Sequence, residues 1–309
     1  MYAPTGAEPR RTLAGVVTFR PDPAALQRLV AAVAGDVLAL VVVANSPLSS
    51  DLKRDLARAA GGTPLLWEEP EQNIGLGTAY NAILGRAAAA GADWALLLDQ
   101  DSTPGPGMVR DLERVADRLR QEAAPLAIVG PTPIDARGRR YKMRLGTAPA
   151  RLGARPAEFL NSSGSLISLE AFRDVGPFPQ SFFIDAIDIE WCYRAASRGW
   201  SIFVADEVVM PHSLGSGVHV LPAGLRVVRQ PPERIYTYLR NQLALLRLPH
   251  VPVAWKARFA FTLPLRLAVY LWDGRFDRAI RTAIRLGLAD GSAGRFPYPP
   301  DVWKRIRGP

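Results

Sequence analysis

The sequence has one cysteine, three histidines and no long apolar run. A single cysteine cannot build a disulfide framework, so the composition favours a reducing compartment such as the cytosol. The longest nearly apolar stretch, residues 259–272, is interrupted by Arg266 and is shorter than the roughly 18 residues of a membrane-spanning helix. The first residues, 1–12, carry no apolar segment of signal-peptide length. We therefore expect a cytoplasmic protein without a transmembrane helix.

Positive charge is concentrated in the last part of the chain. The formal net charge is +9. Residues 220–309 hold 16 Lys or Arg against 5 Asp or Glu, whereas residues 1–219 hold 22 against 24. This segregation suits an anionic partner, which could be nucleic acid, an anionic membrane surface or a phosphate-rich substrate. No nucleic-acid-binding module is recognisable, so we expect no nucleic-acid partner.

Apolar runs of strand length alternate with amphipathic segments in the first third of the chain. The predicted strands are 13–19, 37–44, 64–67 and 94–98. The predicted helices between them are 24–34, 52–60 and 78–90. This alternation predicts an open, doubly wound α/β fold with a parallel sheet covered on both faces. Ligands of such sheets bind beyond the carboxyl ends of the strands. The polar residues that end the strands, Thr18, Asn45 and the pair Asp99 and Asp101, are therefore candidate site residues.

Asp99 and Asp101 directly follow the most apolar of these strands. Residues two apart in an extended chain point the same way, and a carboxylate pair is costly unless a cation or hydrogen bonds stabilise it. Mg²⁺ is commonly bound by one or two carboxylates together with substrate phosphates, so the pair suits a nucleotide diphosphate. From spacing alone, an ordinary turn before Pro104 explains the pair equally well.

A second group of acids, Asp185, Asp188 and Glu190, surrounds the start of a helix predicted over 187–198. The helix dipole favours acids there, which accounts for Asp185 and could also account for Asp188. It accounts less well for acids embedded among aromatic and branched residues. A carboxylate with apolar neighbours has a raised pKa, which suits a general base.

Two further segments carry weaker signals. Glycines within 73–81 could allow close approach of a phosphate or sugar at a helix start, or could only permit the turn into the helix. Tyr80 stands where a dinucleotide-binding fingerprint would have its third glycine. His212 follows a predicted strand and could be a metal ligand or a hydrogen-bonding loop residue.

Taken together and in this order, the segments resemble glycosyltransferase family 2, and more narrowly its bacterial rhamnosyltransferase-like branch, over residues 13–247. Residues 96–102 look like that branch's DxD motif, and 73–81 look like its N-x-G-x-G/A-x-A-x-N segment. Residues 188–194 look like the motif that contains the catalytic base. Residues 234–241 look like its downstream Tyr-x-x-x-Arg-Asn segment.

The resemblance implies a GT-A nucleotide-diphospho-sugar transferase fold, in which a mostly parallel, Rossmann-like sheet is flanked by helices and followed by a C-terminal helical extension. It implies a flexible N-terminus over 1–12, a catalytic domain over 13–219 and a basic helical extension over 220–309.

The resemblance also implies residue roles. Asp188 would deprotonate the acceptor hydroxyl, and Asp101 and His212 would ligate a divalent cation, Mg²⁺ or Mn²⁺. The implied nucleotide-sugar contacts are Thr18, Asn45, Asn73, Gly75, Asp99, Gln100 and Asp101. The implied acceptor-side contacts are Asp185, Glu190, Trp191, Ser163 and Gly164. Many relatives have Asp where this chain has Ala44, which leaves the base and ribose contacts near Asn45 open.

The implied activity is an inverting, metal-dependent transfer of a sugar to a cell-surface polysaccharide or a lipid-diphosphate-linked glycan, with L-rhamnose from dTDP-rhamnose as the first expectation. Alternatives are a UDP-galactofuranose or other UDP-hexose donor, and a catalytically inactive, membrane-docked scaffold of the same fold. A nucleotidyltransferase would need a glycine-rich basic loop after the first strand. A dinucleotide-binding oxidoreductase would need the third glycine and a ribose-binding acid, and the sequence has neither.

Residues 251–288 mix aromatic and aliphatic residues with Lys and Arg, which predicts a pair of basic amphipathic helices. Such helices could lie on the anionic inner face of the plasma membrane, which fits a lipid-linked acceptor. They could equally be an appendage that packs on the catalytic domain with a solvated basic face.

Overall fold

The structure, a computed structural model, describes residues 11–122, 125–135, 137–141, 143–146, 150, 152–211, 217–220 and 226–307. His212 and residues 1–10 lie outside the described residues, so the predictions for them stay predictions.

The described elements follow the predicted alternation in the first half of the chain. The strands are β1 (Thr12–Thr18), β2 (Leu40–Ala44), β3 (Leu65–Glu68), β4 (Trp94–Asp99), β5 (Leu126–Ile134), β6 (Ala154–Pro156), β7 (Ser165–Ser168), β8 (Ser201–Pro211), β9 (Val218–Val220) and β10 (Arg226–Val228). The helices are α1 (Pro23–Ala34), α2 (Ser50–Ala59), α3 (Gly75–Ala89), α4 (Met108–Gln121), α5 (Leu169–Val175), α6 (Ile187–Ser197), α7 (Pro232–Arg247), α8 (Val253–Asp273), α9 (Arg278–Ala293) and α10 (Pro299–Arg307). A 3₁₀ turn covers Gln180–Phe182.

The central sheet has the strand order β3-β2-β1-β4-β7-β5-β8-β6. Its first four strands are parallel, as expected for a doubly wound sheet. In the other half β7 runs antiparallel to both neighbours and β6 is antiparallel to β8, while β5 and β8 are parallel. The sheet is therefore mixed in its second half. The chain enters β7 beside the end of β4, where the Gly164 N–H donates to the Leu97 carbonyl at 2.7 Å.

Apolar cores lie on both faces of the sheet. One contains the inner faces of α1, α2 and α4, and the other contains those of α3, α5 and α6. Strands β1, β2 and β4 are almost fully buried, which explains their nearly continuous apolar runs. The second core also takes in Leu245 of α7 and Trp255 of α8. A third cluster joins α7, α9 and α10. Helix α7 thus contributes to both the second core and the third cluster. The proposed domain boundary at 219/220 stays a prediction.

The sequence prediction fails in detail after residue 200. The sequence has two separate apolar runs, at 200–204 and 208–210, which predict two strands. They lie instead in one strand, β8, whose pairing with β5 shifts beside Pro131. The region after 220, predicted as helical, first forms the hairpin β9–β10, whose strands are too short to produce a periodic signal. Of the helices described, none has both the length and the apolar character to cross a bilayer.

Candidate functional site

Three predicted strand-end residues meet at one edge of the sheet. Strand β1 lies between β2 and β4, with Thr18 opposite Ala44 and Val17 opposite Asp99. The Asn45 N–H donates to the Thr18 carbonyl at 2.8 Å. Adjacent parallel strands thus bring Thr18, Asn45 and Asp99 to the carboxyl edge, where ligands of such sheets bind.

A pocket of about 230 Å³ opens beside the end of β4. It is formed by the start of α3, the loop before β7, the start of α6 and the first turn of α7. Its lining residues are Leu76, Tyr80, Asp99, Asn161, Ser162, Ser163, Ile184, Asp185, Ala186, Ile187, Asp188 and Arg234. Four residues predicted from the sequence, Asp99, Ser163, Asp185 and Asp188, therefore share one pocket although 89 positions separate the first from the last.

Tyr80 connects the two walls of this pocket. Its hydroxyl donates to Asp99 Oδ1 at 3.3 Å and accepts from Ser162 Oγ at 3.0 Å. Burial, together with the charge of Asp99, raises the pKa of Tyr80 well above its usual value, so the phenol stays protonated. The Asp99 N–H donates to Ser102 Oγ at 3.0 Å, and Ser102 Oγ lies 2.6 Å from Ser163 Oγ. Hydrogen bonds therefore fix the backbone and carboxylate of Asp99.

Asp188 occupies the first turn of α6, and its Oδ1 accepts from the Ile189 N–H at 2.9 Å. Burial, with a smaller contribution from the negative charge of Asp99, raises the pKa of Asp188 to about 6. Hydrogen bonds from the backbone N–H groups of Ile189, Asp188 and Ser162 oppose this rise but do not cancel it. A carboxylate with this pKa can take a proton and release it near neutral pH, as a general base must.

The backbone just before Asp188 is strained. Phe183, Asp185 and Ala186 have φ values of 64°, 70° and 62°, in the left-handed region that non-glycine residues seldom occupy. Each such residue costs on the order of 1–3 kcal/mol unless its surroundings impose the conformation. Asn241 of α7 supplies that constraint, because its Nδ2 contacts the carbonyls of Phe182, Ile184 and Asp185 at 2.9, 2.7 and 2.9 Å.

Helix α7 also places a cation in the pocket. Arg234 donates to Asp185 through Nε at 3.2 Å and through Nη2 at 2.5 Å, and Thr237 Oγ1 donates to Asp185 Oδ2 at 2.7 Å. Burial lowers the pKa of Arg234, but the Asp185 carboxylate outweighs it and the pKa is raised overall. The guanidinium is thus a fixed positive charge beside Asp99 and Asp188, available to anionic ligand groups.

Asn45, Gln100 and Asp101 have different surroundings. Asn45 Oδ1 accepts from the Ile74 N–H at 3.1 Å and so holds the loop before α3. The Gln100 amide pairs with the backbone of Phe19, accepting at 2.7 Å and donating at 3.2 Å, and ties the loops after β1 and β4 together. Asp101 is exposed, with no hydrogen bond or ion pair to any described residue. Its carboxylate is free to bind a ligand.

Two predicted contacts can act only through the backbone. The Thr18 side chain is fully buried and points to the Val43 carbonyl, 3.4 Å from Oγ1, so a side-chain contact with a nucleotide is excluded in this conformation. Gly164 has φ +80° and lies so close to Met210 that an added Cβ would approach its side chain within 2.8 Å. The glycine thus permits the turn into β7. It does not leave open space into which a ligand could fit.

The glycines of segment 73–81 make room for the protein's own chain. A Cβ on Gly75 would lie 2.6 Å from Phe183, and one on Gly77 would lie 2.7 Å from the Pro179 carbonyl oxygen. Neither glycine can take a side chain without a clash, so a ligand contact of Gly75 would be through its backbone and stays a prediction. Asn73 accepts from the Gly75 N–H at 2.9 Å, which shapes the same turn.

Glu190 and Trp191 lie outside the pocket, contrary to the prediction for them. Residues two apart on a helix face nearly opposite sides, so Glu190 turns away from Asp188. It forms hydrogen bonds to Arg194 Nε and Nη2 at 3.0 and 2.9 Å. Trp191 is fully buried and donates to the Gly176 carbonyl at 2.9 Å. Both residues stabilise the packing of α6 instead of contacting an acceptor.

Sequence reasoning missed Tyr80, Ser162 and Arg234 as site residues. Tyr80 and Arg234 stood inside recognised motifs, yet only the tertiary structure shows that both point into the pocket. Ser162 lies next to Ser163 in a run of small polar residues before a strand, and that run was the available signal.

Asp99 and Asp101 offer hard carboxylate oxygens of the kind that Mg²⁺ and Mn²⁺ bind together with substrate phosphates. Within the described ranges no cluster of three or more His, Cys, Asp or Glu could hold a metal by itself. The residues present thus fit a cation that shares its coordination with a bound diphosphate. The proposed ligand His212 lies outside the described residues.

No family model matches the chain. Over 202 residues it is 28% identical to dTDP-rhamnosyl transferase RfbF of Shigella flexneri. The aligned region covers 60% of this chain and 64% of that protein, so it spans less than two thirds of the relative's length.

Solved structures provide a second comparison. S. aureus TarS, residues 1–349, superimposes with a TM-score of 0.55 at 14% identity, covering 96% of this chain and 90% of that chain. TarS in complex with UDP-GlcNAc gives 0.54 at 15% identity with the same coverage. The mannosyltransferase PcManGT from Pyrobaculum calidifontis, in complex with GDP-Man and Mn²⁺, gives 0.54 at 14% identity, covering 96% and 84%. At these identities the likeness establishes the fold alone. The chain has the GT-A fold of these solved glycosyltransferases, and its sequence similarity to a dTDP-rhamnosyl transferase agrees with the resemblance that the motifs indicated.

Proposed function

We propose that this protein is an inverting, metal-dependent glycosyltransferase that moves a sugar from a nucleoside-diphosphate donor to a hydroxyl of a glycan or lipid-diphosphate-linked acceptor. The observation that carries the proposal is the position of Asp188. Its carboxylate has a pKa raised to about 6 and lines the same pocket as Asp99, at the carboxyl edge of the sheet.

The proposed reaction is a single displacement. Asp188 accepts the proton of the acceptor hydroxyl while the acceptor oxygen forms a bond to the anomeric carbon. The bond from that carbon to the diphosphate oxygen breaks on the opposite face, and the nucleoside diphosphate leaves with the electron pair. One displacement inverts the anomeric configuration. Arg234 lies where its charge can stabilise anionic groups of the donor.

Asp101 would hold the divalent cation, with His212 as a further proposed ligand, and Asp99 would contact the ribose of the donor or the hydration shell of the cation. When bound, the cation supplies charge neutralisation for the leaving diphosphate. The proposed nucleotide-sugar contacts still include Asn45, Asn73 and Gln100, at the same edge of the sheet. Thr18 and Gly75 would contact the donor only through their backbone.

We propose dTDP-L-rhamnose as the donor, because the curated relative is a dTDP-rhamnosyl transferase. A UDP-sugar is the alternative, because the structural neighbour TarS is solved with UDP-GlcNAc. A lipid-diphosphate-linked acceptor lies at the inner face of the plasma membrane, so the proposal includes a peripheral location there.

The test is nucleotide release from dTDP-rhamnose and UDP-hexoses with a lipid-linked acceptor, comparing wild type with Asp188→Asn. Loss of a general base lowers turnover by roughly 10²–10⁴-fold while donor affinity stays near normal. Glu190→Gln is the matched control, because this acid lies on the same helix outside the pocket and should leave kcat nearly unchanged once thermal unfolding shows a folded variant. An Asp188→Asn enzyme with near-normal turnover contradicts the assignment of the base. Absence of turnover with every donor favours the inactive scaffold.

A further inference from the structure

We propose that the outward face of α8 is a docking surface for an anionic phospholipid bilayer, on which the helix lies in the plane of the interface. This face, the α8 outer face, consists of Val253, Ala257, Phe261, Leu265, Ala268 and Trp272. The proposal goes beyond the transferase chemistry and does not depend on the donor or on Asp188. It adds to the proposed function only in placing the pocket beside a membrane-bound acceptor.

The members of the α8 outer face recur every three or four residues, so they form one continuous stripe along the helix. From first to last they span about 29 Å at the usual rise of an α-helix. Phe261 is 86% exposed, Trp272 78% and Val253 79%, which are high values for large apolar side chains. An apolar stripe of this length on the surface of a folded chain marks an interaction site.

The opposite face of α8 packs against the protein. Trp255 and Phe259 are buried, and the Trp255 ring lies 6.4 Å from Tyr193 of α6. Tyr270 is buried and its ring lies 6.5 Å from Tyr238 of α7. One face of helix α8 is thus buried against the rest of the protein. Its second apolar face is covered by no described residue.

Positive charge flanks the outer face. Arg258 of α8 and Arg275 of the following turn are exposed, and neither has a carboxylate partner in the described part of the chain. Over residues 253–285 the sequence has 7 Lys or Arg and only two acids, Asp273 and Asp277. Asp273 pairs with Arg229 at 2.6 Å, and Asp277 caps α9. The surface therefore offers unneutralised cations beside exposed aromatic rings.

An open groove of about 1100 Å³ lies at the C-terminal end of the outer face. Trp272 and Phe276 line it together with Arg275 and the ion pair of Arg229 with Asp273. Aromatic side chains with a cationic rim suit the boundary between lipid headgroups and acyl chains.

A bilayer fits this surface better than a second copy of the chain. A symmetric dimer through the outer face would bring Arg258 and Arg275 of both copies together, which is unfavourable in a desolvated interface. Anionic headgroups would neutralise the same arginines, each worth about fivefold in binding. No described helix has the length and apolar character to cross a bilayer, and the contact proposed here is at the membrane surface.

The position of α8 gives this contact a consequence for the site. The helix packs on α6, which carries Asp188, and on α7, which carries Arg234. Docking through the outer face would therefore hold the pocket in a fixed orientation relative to the bilayer. A lipid-diphosphate-linked acceptor is anchored in that bilayer.

Vesicle co-sedimentation tests the proposal, with phosphatidylcholine vesicles compared with vesicles containing equimolar phosphatidylglycerol. We expect binding to the anionic vesicles that weakens as salt rises. Arg258→Glu with Arg275→Glu should lower the partition coefficient by more than about 25-fold, since each cation contributes about fivefold. Phe261→Ser with Trp272→Ser should lower it at least tenfold, whereas Phe261→Leu with Trp272→Phe should retain most of the binding.

The matched control is Arg54→Glu with Arg58→Glu on α2. It makes the same change in net charge at exposed residues that are distant from α8 in the sequence. It should leave vesicle binding nearly unchanged. An equal loss in this control would overturn the proposal, because net charge alone would then explain the binding. Equal binding to neutral and anionic vesicles, or no effect of the serine pair, would also overturn it.

A dimer in sedimentation velocity that the serine pair dissociates would assign the face to self-association and reject the bilayer. Thermal unfolding and stabilisation by nucleotide with metal should be unchanged in all four variants. Absence of vesicle binding by the wild type, with nucleotide binding intact, would therefore reject this proposal and the peripheral location, and leave the proposed transferase activity standing.

Discussion

At the residue scale, Asp188 depends on a neighbour of the same charge. Burial and the negative charge of Asp99 together raise its pKa to about 6. The base has to be ionised to accept a proton, so turnover should fall as the pH drops below about 6. A pH profile of kcat should show this acid limb roughly two units above the usual pKa of an aspartate.

Replacing Asp99 by Asn removes the repulsion and should lower the pKa of Asp188, which moves the acid limb to lower pH. Asp101→Asn is the comparison, because Asp101 is exposed and does not contribute to the raised pKa. It should weaken metal-dependent turnover and leave the limb in place. If both substitutions shift the limb equally, the limb reports metal binding and not Asp188.

At the element scale, α3 approaches the strained segment 179–186 so closely that only glycine fits. Gly77→Ala would place a methyl group 2.7 Å from the Pro179 carbonyl oxygen, which is backbone and cannot turn aside. We expect a loss of about 1–3 kcal/mol in the free energy of unfolding, together with reduced turnover, because the same segment leads to Asp188.

Gly85→Ala tests the steric cause on the same helix, since nothing lies within 4 Å of the added Cβ. Alanine is the better helix former, so this variant should gain about 0.5–1 kcal/mol. Denaturant unfolding of both variants measures the difference. A Gly77→Ala protein as stable as Gly85→Ala would contradict the close approach.

The burial and length of these elements explain which of them could be predicted from the sequence. Strands β1, β2 and β4 were predictable because burial on both faces makes them solid apolar runs. The three-residue strands β9 and β10 were not, because a period needs several residues to appear. Asp99 and Asp188 could be assigned because each interrupts an apolar context. Trp191 was expected as an acceptor contact from the family resemblance, but helical geometry turns it into the core. Tyr80 and Arg234 required the packing of α3 and α7, which local sequence does not encode.

At the scale of the whole molecule, nucleotide binding should stabilise the fold. The site draws on α3, the strand ends, α6 and α7, so a bound ligand links elements from most of the chain. At about 100 times its dissociation constant a ligand adds roughly 2.7 kcal/mol, a shift that thermal unfolding resolves readily.

We expect stabilisation by dTDP that requires Mg²⁺ or Mn²⁺ and exceeds that by UDP. Asp101→Asn should remove the metal-dependent part, because its carboxylate is exposed at the proposed cation site. A larger shift with UDP would transfer the donor proposal to a UDP-sugar. A shift of equal size with and without metal would contradict the cation site.

Asn241 acts on the chain more than 50 positions before it, through the carbonyls of residues 182, 184 and 185. During synthesis strand β4, with Asp99 and the following Asp101, emerges from the ribosome well before α7. The hydrogen bonds from Asn241 that hold the left-handed backbone before Asp188 can form only after α7 has been made and has docked. An unfinished chain could therefore hold a nucleotide at the sheet edge without an oriented base. The order of translation itself would then keep incomplete molecules from consuming donor.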